Sequence, residues 1–148
     1  MIAGGAHGIG LAVARAAAAQ GDEAIIVDRV PPSGTVDARF VRVDLSSARQ
    51  ADEALGSLVK SEDRIDALVV AAGRAANGAL RDRPAHEWSE HLSNDVLSVV
   101  VPARVLLPAL IQTGRDYGVA DIVVVGSIAG DTAFKNAVVY GAGSAARN

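Results

Sequence analysis

A doubly wound α/β fold, a parallel sheet with helices on both faces in three layers, is the architecture this sequence predicts. Three observations carry the expectation. Apolar strand-like runs alternate with helical patterns along the chain. The first strand-to-helix passage is glycine-rich: Gly4-Gly5-Ala6-His7-Gly8-Ile9-Gly10 joins Met1-Ile2-Ala3 to the helix formers Leu11 to Ala19. A second buried-strand pattern, Ala24-Ile25-Ile26-Val27, then ends on an acid, Asp28, about eighteen residues past the last glycine.

The first passage has the parts of a phosphate cradle. Glycines let the chain turn tightly and approach a ligand closely. The helix that follows presents unpaired N–H groups and a positive dipole end. The spacing is Gly-x-x-x-Gly-x-Gly, at Gly4, Gly8 and Gly10, rather than the commonest dinucleotide fingerprint. Taken alone it also reads as a plain tight turn; His7 and Ile9, between the glycines, are cofactor-binding candidates, although His7 reads more readily as a surface turn residue. Asp28 raises the case for a dinucleotide, because an acid there accepts hydrogen bonds from an adenosine ribose and repels a 2′-phosphate. This favours NAD; Arg29, which can accommodate that phosphate, keeps NADP as the second choice.

The rest of the chain continues the alternation. Gly21 closes the first helix, and Ala24 to Asp28 is the second strand. Val30-Pro31-Pro32-Ser33-Gly34 is a breaker cluster that reads as surface loop. Phe40-Val41-Arg42-Val43 is the third strand, leading to Asp44-Leu45. Ser46 or Ser47 is placed to cap a helix to about Lys60, with Ala51, Ala54, Leu55, Leu58 and Val59 as its apolar residues. Asp66 to Gly73 holds a fourth strand and a glycine turn, and Gly78 to Pro84 reads as loop. A long helical region follows from about Ala85 to Gln112, which Pro102 and Pro108 should interrupt and bend. Ile122-Val123-Val124-Val125 is a fifth strand before Gly126-Ser127-Ile128-Ala129-Gly130, and a last helix starts around Val138 to Tyr140.

Composition narrows the function. A chain of 148 residues, half of them hydrophobic and 3% aromatic, suits one domain with a core of Ala, Val, Leu and Ile. The formal charge of −3 gives no basic footprint for nucleic acid. Without cysteine there is no disulfide framework or thiolate metal site. His7, His86 and His91 have no metal-like spacing, so no metal site is expected. No apolar run of membrane-spanning length and no signal peptide stand out. A soluble cytoplasmic protein is the default expectation.

With these motifs in order, the chain resembles the short-chain dehydrogenase/reductase family from end to end, as about the first three fifths of a member. Gly4, Gly8 and Gly10 resemble that family's cofactor loop, Asp28 stands at its NAD-selecting position, and Asp44-Leu45 is similar to the pair that meets the adenine. Ala71-Ala72-Gly73 stands where the family usually has Asn-Ala-Gly. Gly126 to Gly130 looks like the segment with the catalytic serine, at Ser127, and Tyr140 follows it at a common family spacing of thirteen residues. The resemblance implies a Rossmann-type sheet of strand order 3-2-1-4-5. It also implies hydride transfer between a nicotinamide and a secondary alcohol or ketone, and a homodimer or homotetramer. Assembly would use the long helix, where Val96, Val99, Val100, Val101 and Leu106-Leu107 can supply an apolar face.

Two departures bear on activity. Ser144 stands at the family's lysine position, and Asp95, beside Asn94, at its asparagine position; Asp95 also reads as a solvated helix acid. A tyrosine that trades a proton near neutral pH must have its pKa lowered from about 10, and three units correspond to about 4 kcal/mol. In the family the lysine supplies much of that stabilisation and grips the nicotinamide ribose, beside Tyr140. Ser144 has no charge, and Arg147, some two helical turns from Tyr140, reads as a poor substitute. Trp88 reads as packing and Lys135 as a solvated charge. Both ends look clipped: the first strand is short for the centre of a sheet, and the family's last strands are absent. The leading reading is therefore an NAD-dependent short-chain oxidoreductase on one dinucleotide-binding domain, 1–148, incomplete at its C-terminal end. The alternatives are a non-catalytic nucleotide-binding or assembly module of the same fold, or an inactive fragment of a longer enzyme.

Overall fold

A computed structural model describes residues 1–148. The strands are β1 (Ile2–Ala3), β2 (Ile25–Asp28), β3 (Arg39–Arg42), β4 (Ala67–Val70) and β5 (Asp121–Val124). The helices are α1 (Gly8–Ala19), α2 (Ala48–Ser61), α3 (Ala85–Tyr117) and α4 (Val138–Ala145). All strand pairs are parallel, in the order β3-β2-β1-β4-β5. The doubly wound α/β expectation and its strand order hold.

β1 is only two residues long yet lies at the centre, with Ile2 opposite both Ile26 and Val69. Backbone bonds beyond its ends secure it: Gly4 donates to the Val27 carbonyl at 2.8 Å, and Ala71 donates to Ala3 at 2.8 Å. A parallel strand between two helical layers must be apolar on both faces. β2 meets that demand by alternation. Ile25 and Val27 join a core with Leu55 of α2, Leu68 and Val70 of β4, and Leu106 and Leu110 of α3. Ile26 faces the other way, with Ile2, Leu11 and Ala14 against α1. Each such side chain, fully buried, contributes about 1.5–3 kcal/mol, which explains why these short runs set the layers.

Several local expectations change. α3 runs unbroken through Pro102 and Pro108 and ends at Tyr117, beyond Gln112, with Gly118 in the left-handed conformation (φ 88°) as its cap. Pro102 is fully buried, so packing against the sheet and α2 offsets a local helix cost of about 3 kcal/mol. Val101 and Leu106 belong to the core and are not part of an outer face. The exposed large aliphatic residues of α3 are Val100, Leu107 and Ile111. The helix also has an 18-residue window of mean hydropathy 1.8; it is long and apolar enough to cross a membrane by length and composition alone. Ser47 occupies the N-cap of α2 but makes no side-chain cap bond, and the Ser46 hydroxyl is turned to Asp44. Within the Gly78–Pro84 loop lies a 3₁₀ turn, Leu80–Asp82.

Candidate functional site

The cradle is built by close backbone approach. Gly4 has φ 80°, and a Cβ there would collide with the backbone of Ala72; one on Gly10 would collide with the carbonyl of Gly4. These glycines let the loop fold down on the end of β4 while α1 starts at once, at Gly8. His7 takes the N-cap position in extended conformation and makes no side-chain cap bond, and the first turn holds no acid. The amides opening a twelve-residue helix are therefore left to an anion.

Two acids follow along the rim. Asp28, at the end of β2, accepts hydrogen bonds from the Ala6 N–H (3.1 Å) and the Val30 N–H (3.4 Å). Its carboxylate is thereby fixed against the glycine loop. Arg29 beside it is exposed, and its carbonyl accepts from Arg42 Nη1 at 3.1 Å. Asp44 Oδ1 accepts from the Ser46 hydroxyl (2.6 Å) and amide (2.9 Å). Those bonds hold the Asp44 carboxyl below the ordinary carboxylate range.

A cleft of about 680 Å³ joins these parts, lined by Gly4, His7, Gly8, Ile9, Asp28, Arg29, Asp44, Leu45 and Ala71-Ala72-Gly73. Gly10 lies inside the turn rather than on the cleft wall. The far end of the cleft is formed by Arg74 and by His91, Asn94, Asp95 and Ser98 of α3. A cleft of this volume lies within the usual range for cofactor sites. Its glycine contacts, free amides and Asp28 fit an adenine dinucleotide.

A second cluster lies around α4. Ser127 caps the 3₁₀ turn Ile128–Gly130, its Oγ accepting from the Ala129 N–H at 3.2 Å. Asn148 clasps the Ser127 backbone, Oδ1 accepting from its N–H at 3.3 Å and Nδ2 donating to its carbonyl at 3.0 Å. Tyr140, in the first turn of α4, is half-buried, and Ser144 one turn later is buried. Neither Ser127 nor Tyr140 lines the cleft. The link is Asp95, whose Oδ2 lies 3.2 Å from His91 Nε2 and whose Oδ1 lies 3.6 Å from Arg147 Nη1. Gly143 makes room for it, since a Cβ there would run into the Asp95 carboxylate.

One expectation is corrected here. Asp95 is not a solvated acid but is 2% exposed. Burial raises its pKa, against the opposing pull of His91, Arg147 and Arg74. Arg147 follows the end of α4 at Ala145, and its N–H bonds back to the Ser144 carbonyl at 3.0 Å. Its side chain then passes over Gly73 to Asp95 and donates to the Val125 carbonyl at 3.1 Å. Sequence reading missed His91, Arg74 and Ser46. The i,i+4 spacing of His91 and Asp95 on a helix was the available signal for the first.

The family model for short chain dehydrogenase matches residues 1–148. A rhamnolipid-biosynthesis 3-oxoacyl-[acyl-carrier-protein] reductase of Pseudomonas aeruginosa is 31% identical, covering 99% of this chain and 61% of its own length. The trans-4-hydroxycyclohexanecarboxylate dehydrogenase of Sinomonas cyclohexanicum is 27% identical over 96% of this chain and 59% of its own. The chain thus spans about three fifths of the curated relatives it matches. Among solved structures, the NADH-dependent reductase A1-R′, complexed with NAD, superposes with a TM-score of 0.86 at 24% identity, covering 97% of this chain and 65% of that one. That likeness supports the fold. The chain belongs to the short-chain dehydrogenase family.

Proposed function

We propose that these 148 residues form the dinucleotide-binding unit of an NAD-dependent oxidoreductase acting on a secondary alcohol or its ketone. The observation that carries the reading is one cleft that joins the glycine cradle and Asp28 at one end to Asp95 and His91 at the other. Gly4, Gly8 and Gly10 let the α1 amides meet the pyrophosphate. Asp28 receives the adenosine ribose hydroxyls, and Asp44 with Leu45 flanks the adenine. Ala71 to Gly73 form the floor between the two ends. The nicotinamide, when bound, supplies or accepts the hydride. Tyr140 gives its phenolic proton to the substrate oxygen or takes one from it, while the Ser127 hydroxyl holds that oxygen.

The choice of NAD over NADP rests on Asp28, whose negative charge disfavours a 2′-phosphate. Calorimetric titration of the chain with NADH and NADPH tests it. NADH binds more tightly, and the gap narrows in Asp28→Ala; equal affinities in the unmodified chain would end the claim. A non-catalytic nucleotide-binding module is the second reading, favoured by the uncharged, buried Ser144. Cofactor binding without turnover, unchanged by Ser144→Lys, would select it.

A further inference from the structure

Three polar side chains lie in the interior beside Tyr140 without a full set of partners. His91 and Asp95 are each 2% exposed, and the Arg147 side chain is 9% exposed. His91 Nε2, Asp95 Oδ2 and Arg147 Nε are buried without an aligned hydrogen bond. His91 and Asp95 are nonetheless 3.2 Å apart, and Asp95 and Arg147 3.6 Å. The Tyr140 ring meets His91 edge-on, with centroids 6.5 Å apart and an interplanar angle of 64°. The titratable and charged groups facing this point are Asp95 from α3, Tyr140 from α4, Arg147 from beyond α4 and Arg74 from beyond β4. Asp95 offsets the charge of Arg147 as an ion pair and Arg74 adds a constant positive charge, so the change in the cluster's charge follows the imidazole. Protonation of His91 raises it by one. In a buried site such a charge acts on its neighbours with little screening.

We infer that His91 is a positioning residue of this site, clamped by Asp95 and Arg147, whose protonation switches on a positive charge next to Tyr140. The inference deepens the reading of Tyr140 as proton donor and rests on it. When the Tyr140 O–H bond breaks and its proton passes to a carbonyl oxygen, a phenolate remains beside the imidazolium, and the two charges offset. A proton from solvent, entering by the cleft that His91 lines, restores the phenol. Proton delivery, and hence carbonyl reduction, is favoured at a pH where His91 is charged.

The test uses the whole chain without cofactor, carrying ¹³C at the histidine Cε1 and tyrosine Cζ positions. There are three histidines and two tyrosines. His7, His86 and Tyr117 are exposed, and His91→Gln and Tyr140→Phe assign the remaining signals. On titration over about pH 5 to 8, the Tyr140 signal steps where the His91 signal titrates, and His91→Gln abolishes the step. The His91 midpoint moves to lower pH in Asp95→Asn, and to higher pH in Arg147→Met. The second variant decides if the first does not fold. A Tyr140 signal with no step at the His91 midpoint overturns the inference, as does a midpoint the variants leave in place. Neither readout needs a nicotinamide, so failure here is separate from failure of the NADH titration.

Discussion

The cradle around β1 and the cluster around α4 both depend on close approach to glycine, but different atoms approach. At Gly4 and Gly10 the neighbours are the Ala72 backbone and the Gly4 carbonyl. At Gly73 and Gly143 they are the ends of side chains, the Arg147 guanidinium and the Asp95 carboxylate. Backbone held by central-strand hydrogen bonds cannot give way, whereas a side-chain end can rotate or shift. The sheet shows the same contrast. Ile2, Ala3, Ile26 and Val27 are fully buried, while Ile122 and Val123 on the edge strand β5 are 42% and 50% exposed. The cradle is closed by backbone meeting backbone, and the cluster by the ends of side chains meeting backbone.

Gly10→Ala gives the largest expected effect. Its methyl has only backbone to meet, so the loop must move, at a cost of about 1–3 kcal/mol, and the α1 amides move with it. Urea unfolding should show the loss of stability, and NADH binding should fall below detection in calorimetry. Unimpaired binding would mean that the cradle is not the rigid element described. Gly143→Ala is the matching change in the other half. Alanine gains up to about 1 kcal/mol over glycine in a helix interior, and this offsets the displacement of the Asp95 carboxylate. Its net stability change should stay within about 1 kcal/mol, with NADH affinity retained. A loss equal to that of Gly10→Ala would erase the distinction.

The same contrast explains what could be read from the sequence. The strands were legible because β2 and β4 are continuous apolar runs bounded by polar or glycine residues, a pattern that burial on both faces imposes. β1 was legible less from its two residues than from the glycine turn and helix that follow it. The unbroken course of α3 was not legible, because the local cost of Pro102 and Pro108 is visible in sequence while the packing that offsets it is not. The cradle lies in one local segment, so its glycines and the start of α1 are legible together. The cluster draws His91 and Asp95 from α3, Gly73 from beyond β4 and Arg147 from beyond α4, and only the tertiary fold brings them together. The reach of the Arg147 side chain over Gly73 to Asp95 is likewise invisible in the sequence.

A smaller effect on stability concerns the outer face of α3. Val100, Leu107 and Ile111 project from α3 into solvent, a face suited to a second copy of the chain. Sedimentation at micromolar concentration should show association, and Leu107→Glu should shift it toward monomer while changing the monomer's stability by no more than about 0.5 kcal/mol. A monomeric unmodified chain would mean that this face has no self-partner.

The smallest effect sets one acid of each half against the other, because their pKa values are displaced in opposite directions. Asp44 is held below its ordinary value by Ser46, so the folded state favours its ionised form. Its contribution to stability is complete above the unfolded value of about 3.9 and is lost as pH falls through the lower folded value. Asp95 is raised by burial, so the folded state favours its protonated form. Its share of stability is complete below about 3.9 and declines as pH rises through the higher folded value. Asp44 is solvent-facing, and screening reduces its share to a few tenths of a kcal/mol. Ser46→Ala should therefore lower stability slightly at neutral pH, with the difference vanishing in acid. Asp95→Asn, which cannot ionise, should remove the decline on the alkaline side of about pH 3.9 instead. Urea midpoints measured from acid to neutral pH distinguish the two slopes. The same sign of slope for both variants would show that the two acids do not occupy the contrasting environments of an open rim and a closed interior.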